Sequence, residues 1–144
     1  MRRIVLAIGL FAIFSSKADA LPIGYIKTVS GETFVTTAGN PVKGALGTPV
    51  HLGSVLKTSA NASMGVTFKD ETVISFGPNT ELTVEEYLYS PSQGKLKLGS
   101  KLAKGSMNYV SGVIAKLKPD AVSVTTPVGT IGVRGTQFLV LVEE

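Results

Sequence analysis

Hydrophobic and polar residues alternate along most of this chain, and a period of two is typical of half-buried β-strands. The alternating segments are residues 23–29, 33–36, 50–52, 54–57, 63–68, 72–76 and 81–84. Turn residues, mostly glycine, proline and asparagine, separate these segments at intervals of about eight to ten residues. The pattern predicts an all-β domain of many short antiparallel strands in a rolled or solenoid-like stack, with a β-sandwich as the alternative.

One segment, residues 112–118, departs from this alternation. Val113, Ile114 and Leu117 are spaced as on a helix, but Gly112 precedes them and Pro119 follows residue 118. These two residues leave room for at most one or two helical turns. We therefore predict a short strand or a single turn here.

The first twenty residues have the organisation of a signal peptide. Arg2 and Arg3 precede an apolar run at residues 4–14, and Ala18-Asp19-Ala20 is a small-x-small cleavage site. We predict cleavage after Ala20, which leaves a single domain at residues 21–144 that is periplasmic or secreted and has no membrane span. The alternative is an uncleaved anchor, which the short apolar run disfavours.

The charge disfavours one class of protein, and the absence of cysteine limits what can stabilise the fold. The chain carries a net charge of +4, and removal of Arg2, Arg3, Lys17 and Asp19 takes away three positive charges and one negative, leaving +2. No basic stripe is interleaved with aromatic residues, so nucleic-acid binding is disfavoured. Because the sequence has no cysteine, an exported form must draw its stability from an apolar core and backbone hydrogen bonds.

No residue pattern predicts an enzyme or a cofactor site. Ser54 and Lys57 match a Ser-x-x-Lys motif but lack its helix and partner motifs. His51 is the single histidine, which disfavours a transition-metal site, whereas an oxygen-ligated calcium site stays open. Asp70-Glu71 predicts a hairpin turn, with a metal-binding or acid–base carboxylate as the alternative. Gly129, Gly132 and Gly135 are spaced like the glycines of a phosphate-binding loop, but their neighbours are β-branched residues, which favour strands and not the start of a helix.

Four segments carry a family resemblance: residues 53–58, 62–72, 77–82 and 125–138. The last of them, TTPVGTIGVRGTQF, is the most specific. Together they resemble the FecR-like periplasmic domain. The resemblance implies a β-rich periplasmic domain, which in ferric-citrate-type regulators relays the state of an outer-membrane receptor toward a sigma factor. No cytoplasmic region or transmembrane helix precedes the domain here, so we expect a free-standing, exported copy that acts as an interaction or sensory module.

The segment from Phe138 to Val142 is predicted to be an open edge strand to which another strand can add. The candidate partner-binding residues are Phe138, Leu139, Val140 and Arg134. An envelope protein is the expected partner, with self-association through the same edge as a further possibility. For Arg134 the first interpretation is a clamp on turn carbonyls or on a carboxylate such as Glu81, Glu85 or Glu86, and the second is an anion site.

The rival hypothesis is a binder of envelope polysaccharide or peptidoglycan. Three tyrosines would stack on sugars and four lysines would supply charge. The tyrosines are Tyr87, Tyr89 and Tyr109, and the lysines are Lys95, Lys97, Lys101 and Lys104.

Overall fold

The computed structural model describes residues 21–132 and 135–143 of the chain. Within these residues there are twelve strands and one five-residue helix, so the all-β prediction is confirmed. The strands are β1 (Gly24–Ser30), β2 (Thr33–Thr37), β3 (Asn40–Lys43), β4 (Pro49–Val50), β5 (Val55–Thr58), β6 (Ser63–Phe68), β7 (Val73–Phe76), β8 (Glu81–Ser90), β9 (Lys95–Val110), β10 (Val122–Thr126), β11 (Gly129–Gly132) and β12 (Gln137–Val142). The helix α1 spans Val113–Leu117, and two 3-10 turns span Pro91–Gln93 and Pro119–Ala121.

The strands form one curled sheet of the rolled type predicted from the sequence. Along its main path the order is β3-β2-β5-β8-β9-β7-β6-β1-β4, and β10 and β12 attach to β9 while β11 attaches to β10. Each pair is antiparallel except β10 with β9, which run parallel. The predicted antiparallel pairing is therefore confirmed for every pair except this one, in which the segment containing α1 carries the chain back between the two strands.

β9 pairs with four other strands of the sheet. At sixteen residues it is not one of the short strands that the sequence predicted. Its first part pairs with β8 and β10, and its last part pairs with β7 and β12. Gly105 lies where the partners change and has a φ of +92°. An added Cβ there would lie 2.2 Å from Thr80 Oγ1, so only glycine fits.

The core lies on the concave side of the sheet and is built mainly from alternate residues along the strands. Its largest fully buried side chains include Tyr109, Ile26, Leu56, Met64, Ile74, Leu82, Leu98, Leu102, Met107 and Ile114. Strands β1 and β2 pair with β6 and β5, so the residues before position 54 belong to the same sheet as those after it. The helix α1 packs on this core through Ile114 and Ala115, which confirms a single short turn in the segment that broke the alternation.

Candidate functional site

The strand β12 lies at an edge of the sheet. It pairs with β9 along its whole length, from Gln137 opposite Val110 to Val142 opposite Gly105. No other strand in the described part of the chain pairs with β12. Its second side therefore presents backbone groups that a further strand can bind.

The hydrogen bonds around β9 show which residues of β12 face the open side. The Ser111 N–H donates to the Thr136 carbonyl at 2.9 Å, whereas the Ser106 carbonyl accepts a bond from the Gly77 N–H at 3.1 Å, away from β12. Successive residues of a strand direct their N–H and C=O groups to opposite sides. The backbone groups of even-numbered residues of β12, such as Val140, consequently bond to β9. The backbone N–H and C=O groups of Gln137, Leu139 and Leu141 point to the open side of the strand.

The side chains of β12 alternate between core and solvent. Phe138 is partly buried and stacks on Tyr109 with the ring centroids 4.7 Å apart, and Val140 is 9% exposed. Leu139 and Leu141 are 79% and 67% exposed, although both are large aliphatic residues. The edge thus offers two leucine side chains together with the outward backbone groups of the same residues.

Two open clefts lie beside the exposed leucines. One, of about 430 Å³, lies between the end of β12, β9 and the β10–β11 turn, and its lining includes Val128, Ile131 and Leu141. The other, of about 440 Å³, lies over β7, β9 and β12 and is lined by Leu139 and Leu141 among others. The apolar surface therefore continues from the edge onto its surroundings.

The other edges of the sheet carry features that discourage strand addition, whereas β12 does not. β3 contains Pro41 and ends at Lys43, β4 has two residues of which one is Pro49, and β11 begins and ends with glycine. Proline, lysine, glycine and short length each weaken pairing at an edge. β12 has the sequence QFLVLV, with no charge, no proline and no glycine.

The predicted partner-binding residues are thus placed in three ways. Leu139 is exposed and faces the open side, whereas Phe138 and Val140 direct their side chains inward and bond to β9 through their backbones. Arg134 lies outside the described residues. Of the carboxylates proposed as its partners, Glu81 lies 3.8 Å from Lys57 Nζ, and Glu86 pairs with Lys97. Leu141, which the prediction did not include, matches Leu139 in exposure and direction.

A second feature, a buried polar cluster around Asp70, was not predicted from the sequence. Asp70 is fully buried, and Thr72 Oγ1 and the Tyr87 hydroxyl donate to its carboxylate at 2.7 and 3.0 Å. The Ile114 N–H donates to the same carboxylate at 3.1 Å, and the Val113 N–H donates to the Asp70 carbonyl at 2.7 Å. Burial, followed by the charge of Asp70, raises the pKa of Tyr87 above its usual range.

This cluster fastens α1 to the hairpin between β6 and β7. The hairpin prediction at Asp70-Glu71 is correct, but Glu71 is the residue with positive φ, at +70°. The Asp70 carboxylate instead accepts hydrogen bonds from α1 and from Tyr87. Gly112 packs closely against the Asp70 backbone, where an added Cβ would lie 2.4 Å from the Asp70 carbonyl oxygen. The only signal for this in the sequence was an aspartate two residues before a threonine, a common turn pattern.

Ser54, the serine of the Ser-x-x-Lys match, makes structural contacts in the folded chain. Ser54 is fully buried, and its hydroxyl is held by Thr37 Oγ1 at 2.7 Å and the His51 N–H at 3.0 Å. Among residues 21–132 and 135–143, no group of three or more histidine, cysteine, aspartate or glutamate side chains is arranged to hold a metal ion. No helix among the same residues has the length and hydropathy to cross a membrane.

The stacking residues expected for a polysaccharide binder are mostly inaccessible. Tyr109 is fully buried, and Tyr87 is 8% exposed and stacks on Phe68. Only Tyr89 is open to solvent, at 36%. The prediction that these three tyrosines form a stacking surface is therefore wrong for Tyr87 and Tyr109, because both face the core. At Tyr87 a β-bulge between Val84 and Glu86 reverses the alternation that Leu82 and Val84 set.

The fold and the edge define a class of protein: a curled antiparallel β domain with a strand edge open for pairing. The family comparison is specific, since the model of the family described as FecR protein matches residues 54–144. The chain belongs to the FecR family. This family is generally regulatory rather than enzymatic, its domains are typically periplasmic, and membership indicates a signalling or regulatory role at the envelope. Comparisons with curated proteins and with solved structures give no significant match.

Proposed function

We propose that the mature chain is an exported, non-enzymatic interaction or sensory module of the bacterial envelope that binds an envelope protein by adding a strand at β12. The observation that carries the proposal is the unprotected edge: Leu139 and Leu141 are exposed and turn their backbone groups outward. Main-chain hydrogen bonds would supply affinity, and the two leucines with the adjoining clefts would supply specificity. FecR membership supports the regulatory setting.

The test is capture of partners in the native envelope. A tagged full-length chain is expressed, crosslinked gently and purified, and the captured proteins are identified by mass spectrometry. Leu139→Pro removes the outward N–H that a partner strand would bind, and proline is tolerated on the open side of an edge strand. Leu139→Ala is the matched variant, because it shortens the same side chain but keeps the N–H.

We expect a reproducible envelope protein with the unaltered chain, weaker recovery of the same protein with Leu139→Ala, which keeps the N–H but loses the side chain, and loss of that protein with Leu139→Pro. Capture of the same protein by a correctly folded Leu139→Pro chain would refute strand addition. If glycan fragments are recovered instead, and Tyr89→Ala abolishes their recovery, the polysaccharide hypothesis replaces the proposal.

A further inference from the structure

We infer that the open edge of β12 also accepts β12 of a second copy of this chain, which gives a symmetric dimer with one continuous sheet. This inference rests on the proposed function, because it uses the same edge and names one occupant for it. β12 has no charged residue between Gln137 and Val142 and exposes two leucines, so its cross-strand pairs are most favourable with a strand that is itself uncharged and apolar.

A second β12 meets this requirement over the whole length of the strand. Two copies related by a two-fold axis pair antiparallel, with the axis near the middle of β12. The outward N–H and C=O groups of Leu139 and Leu141 then bond to the same groups of the other copy. Leucine meets leucine on the outer face, and Phe138 and Val140 meet apolar residues on the inner face, which are favourable cross-strand pairs. Glu143 falls at or beyond the end of the paired segment.

The size of the contact limits its strength. A single pair of six-residue strands covers less than the roughly 1,600 Å² of a standard stable interface. The exposed side chains at the neighbouring cleft, Val128 at 98% and Ile131 at 42%, add apolar surface beside Leu141. We therefore expect a reversible dimer with a dissociation constant on the order of micromolar or higher, which a higher-affinity envelope partner can displace.

The experiment is sedimentation velocity on the mature chain, from about 1 μM to about 1 mM. We expect a concentration-dependent shift from monomer to dimer. Leu139→Pro, which removes a donor from both copies, should raise the dissociation constant at least about tenfold. Leu139→Lys keeps the N–H but brings two positive charges near the two-fold axis, and it should also give monomer. Leu88→Lys, at a residue 50% exposed on β8, should dimerise like the unaltered chain.

A chain that stays monomeric up to about 1 mM would overturn the inference, as would dimerisation of Leu139→Lys equal to that of the unaltered chain. Leu139→Lys guards against a folding defect in Leu139→Pro, and circular dichroism of both variants checks the fold. Failure here is distinguishable from failure of the proposed function. A monomer that still captures an envelope protein through Leu139 leaves the proposed function intact, whereas a dimer that captures nothing supports only this inference.

Discussion

Asp70 is the residue on which the buried polar contacts converge. It joins the β6–β7 hairpin, Tyr87 of β8 and the start of α1 through one carboxylate. A buried carboxylate is tolerated only when donors surround it, and here two hydroxyls and two backbone N–H groups do so. Each of these donors is itself buried, so all of them depend on Asp70.

Replacement of this carboxylate tests that dependence. Asp70→Ala leaves the Thr72 and Tyr87 hydroxyls and the Ile114 N–H without their acceptor, and we expect the free energy of unfolding to fall by about 3–5 kcal/mol. Urea denaturation followed by circular dichroism measures the change. Asp120→Ala, at an exposed residue, is the control and should stay within about 0.5 kcal/mol of the unaltered chain. Equal losses for the two variants would contradict the assigned role.

The two buried tyrosines predict how stability depends on alkaline pH. Burial raises the pKa of Tyr87 and of Tyr109 in the folded chain, whereas a tyrosine in the unfolded chain ionises near pH 10. Below about pH 10 both states keep these protons, so stability is unaffected. Above it the unfolded state binds fewer protons, and the free energy of unfolding falls by up to about 1.4 kcal/mol per pH unit for each tyrosine.

The measurement is urea denaturation at a series of pH values from about 8 to 11. Tyr87→Phe removes one of the two groups, so its stability should decline less steeply with pH above about 10, whatever its stability at neutral pH. Tyr25→Phe, at a residue 38% exposed, is the control for the loss of a tyrosine hydroxyl. An unchanged slope in Tyr87→Phe would show that this hydroxyl does not resist ionisation in the folded state.

At the scale of the element, β12 has two different sides. The backbone groups of its even-numbered residues bond to β9, as the bond from the Ser111 N–H to the Thr136 carbonyl indicates, and those of its odd-numbered residues point to the open side. The sequence analysis predicted an open edge strand from Phe138 to Val142. It did not predict which residues face the open side, because that depends on the register between β12 and β9.

Proline substitutions at adjacent positions test this register. Val140→Pro removes a hydrogen bond to β9 and a buried side chain, and we expect a loss of about 3 kcal/mol in the free energy of unfolding. Leu139→Pro removes an N–H that faces the open side, and we expect a loss below about 1 kcal/mol. Thermal and urea unfolding of the two variants give the comparison. If the larger loss occurs with Leu139→Pro, the assigned register is wrong.

At the scale of the whole molecule, the sheet extends further toward the N-terminus than the family match. The match begins at residue 54, yet β1 pairs with β6 and β2 pairs with β5. A fragment that starts at residue 54 would therefore expose the partner edges of β5 and β6. The predicted mature chain, residues 21–144, contains every strand of the described sheet.

Export belongs to the same scale and has a direct test. If the first twenty residues are a signal peptide, the chain recovered from the envelope fraction should begin at Leu21, as determined by intact mass and N-terminal sequencing. Ala20→Arg should block cleavage and leave a precursor, because the protease requires a small residue at that position. Ala7→Val, within the apolar run, is the control and should be processed normally. An N-terminus at Met1 in the envelope would favour the uncleaved anchor.

The sequence by itself determined the class of fold, most strand positions and the family, because these depend on local alternation, on turn residues and on a motif in one continuous segment. The segment 63–68, for example, was predicted with the observed bounds. Tertiary structure alone decided the parallel placement of β10, the burial of Tyr87 and Tyr109, the cluster around Asp70 and the direction of Leu139. Each of these depends on contacts between residues far apart in the chain, such as Asp70 with Ile114, and local patterns carry no information about such distances.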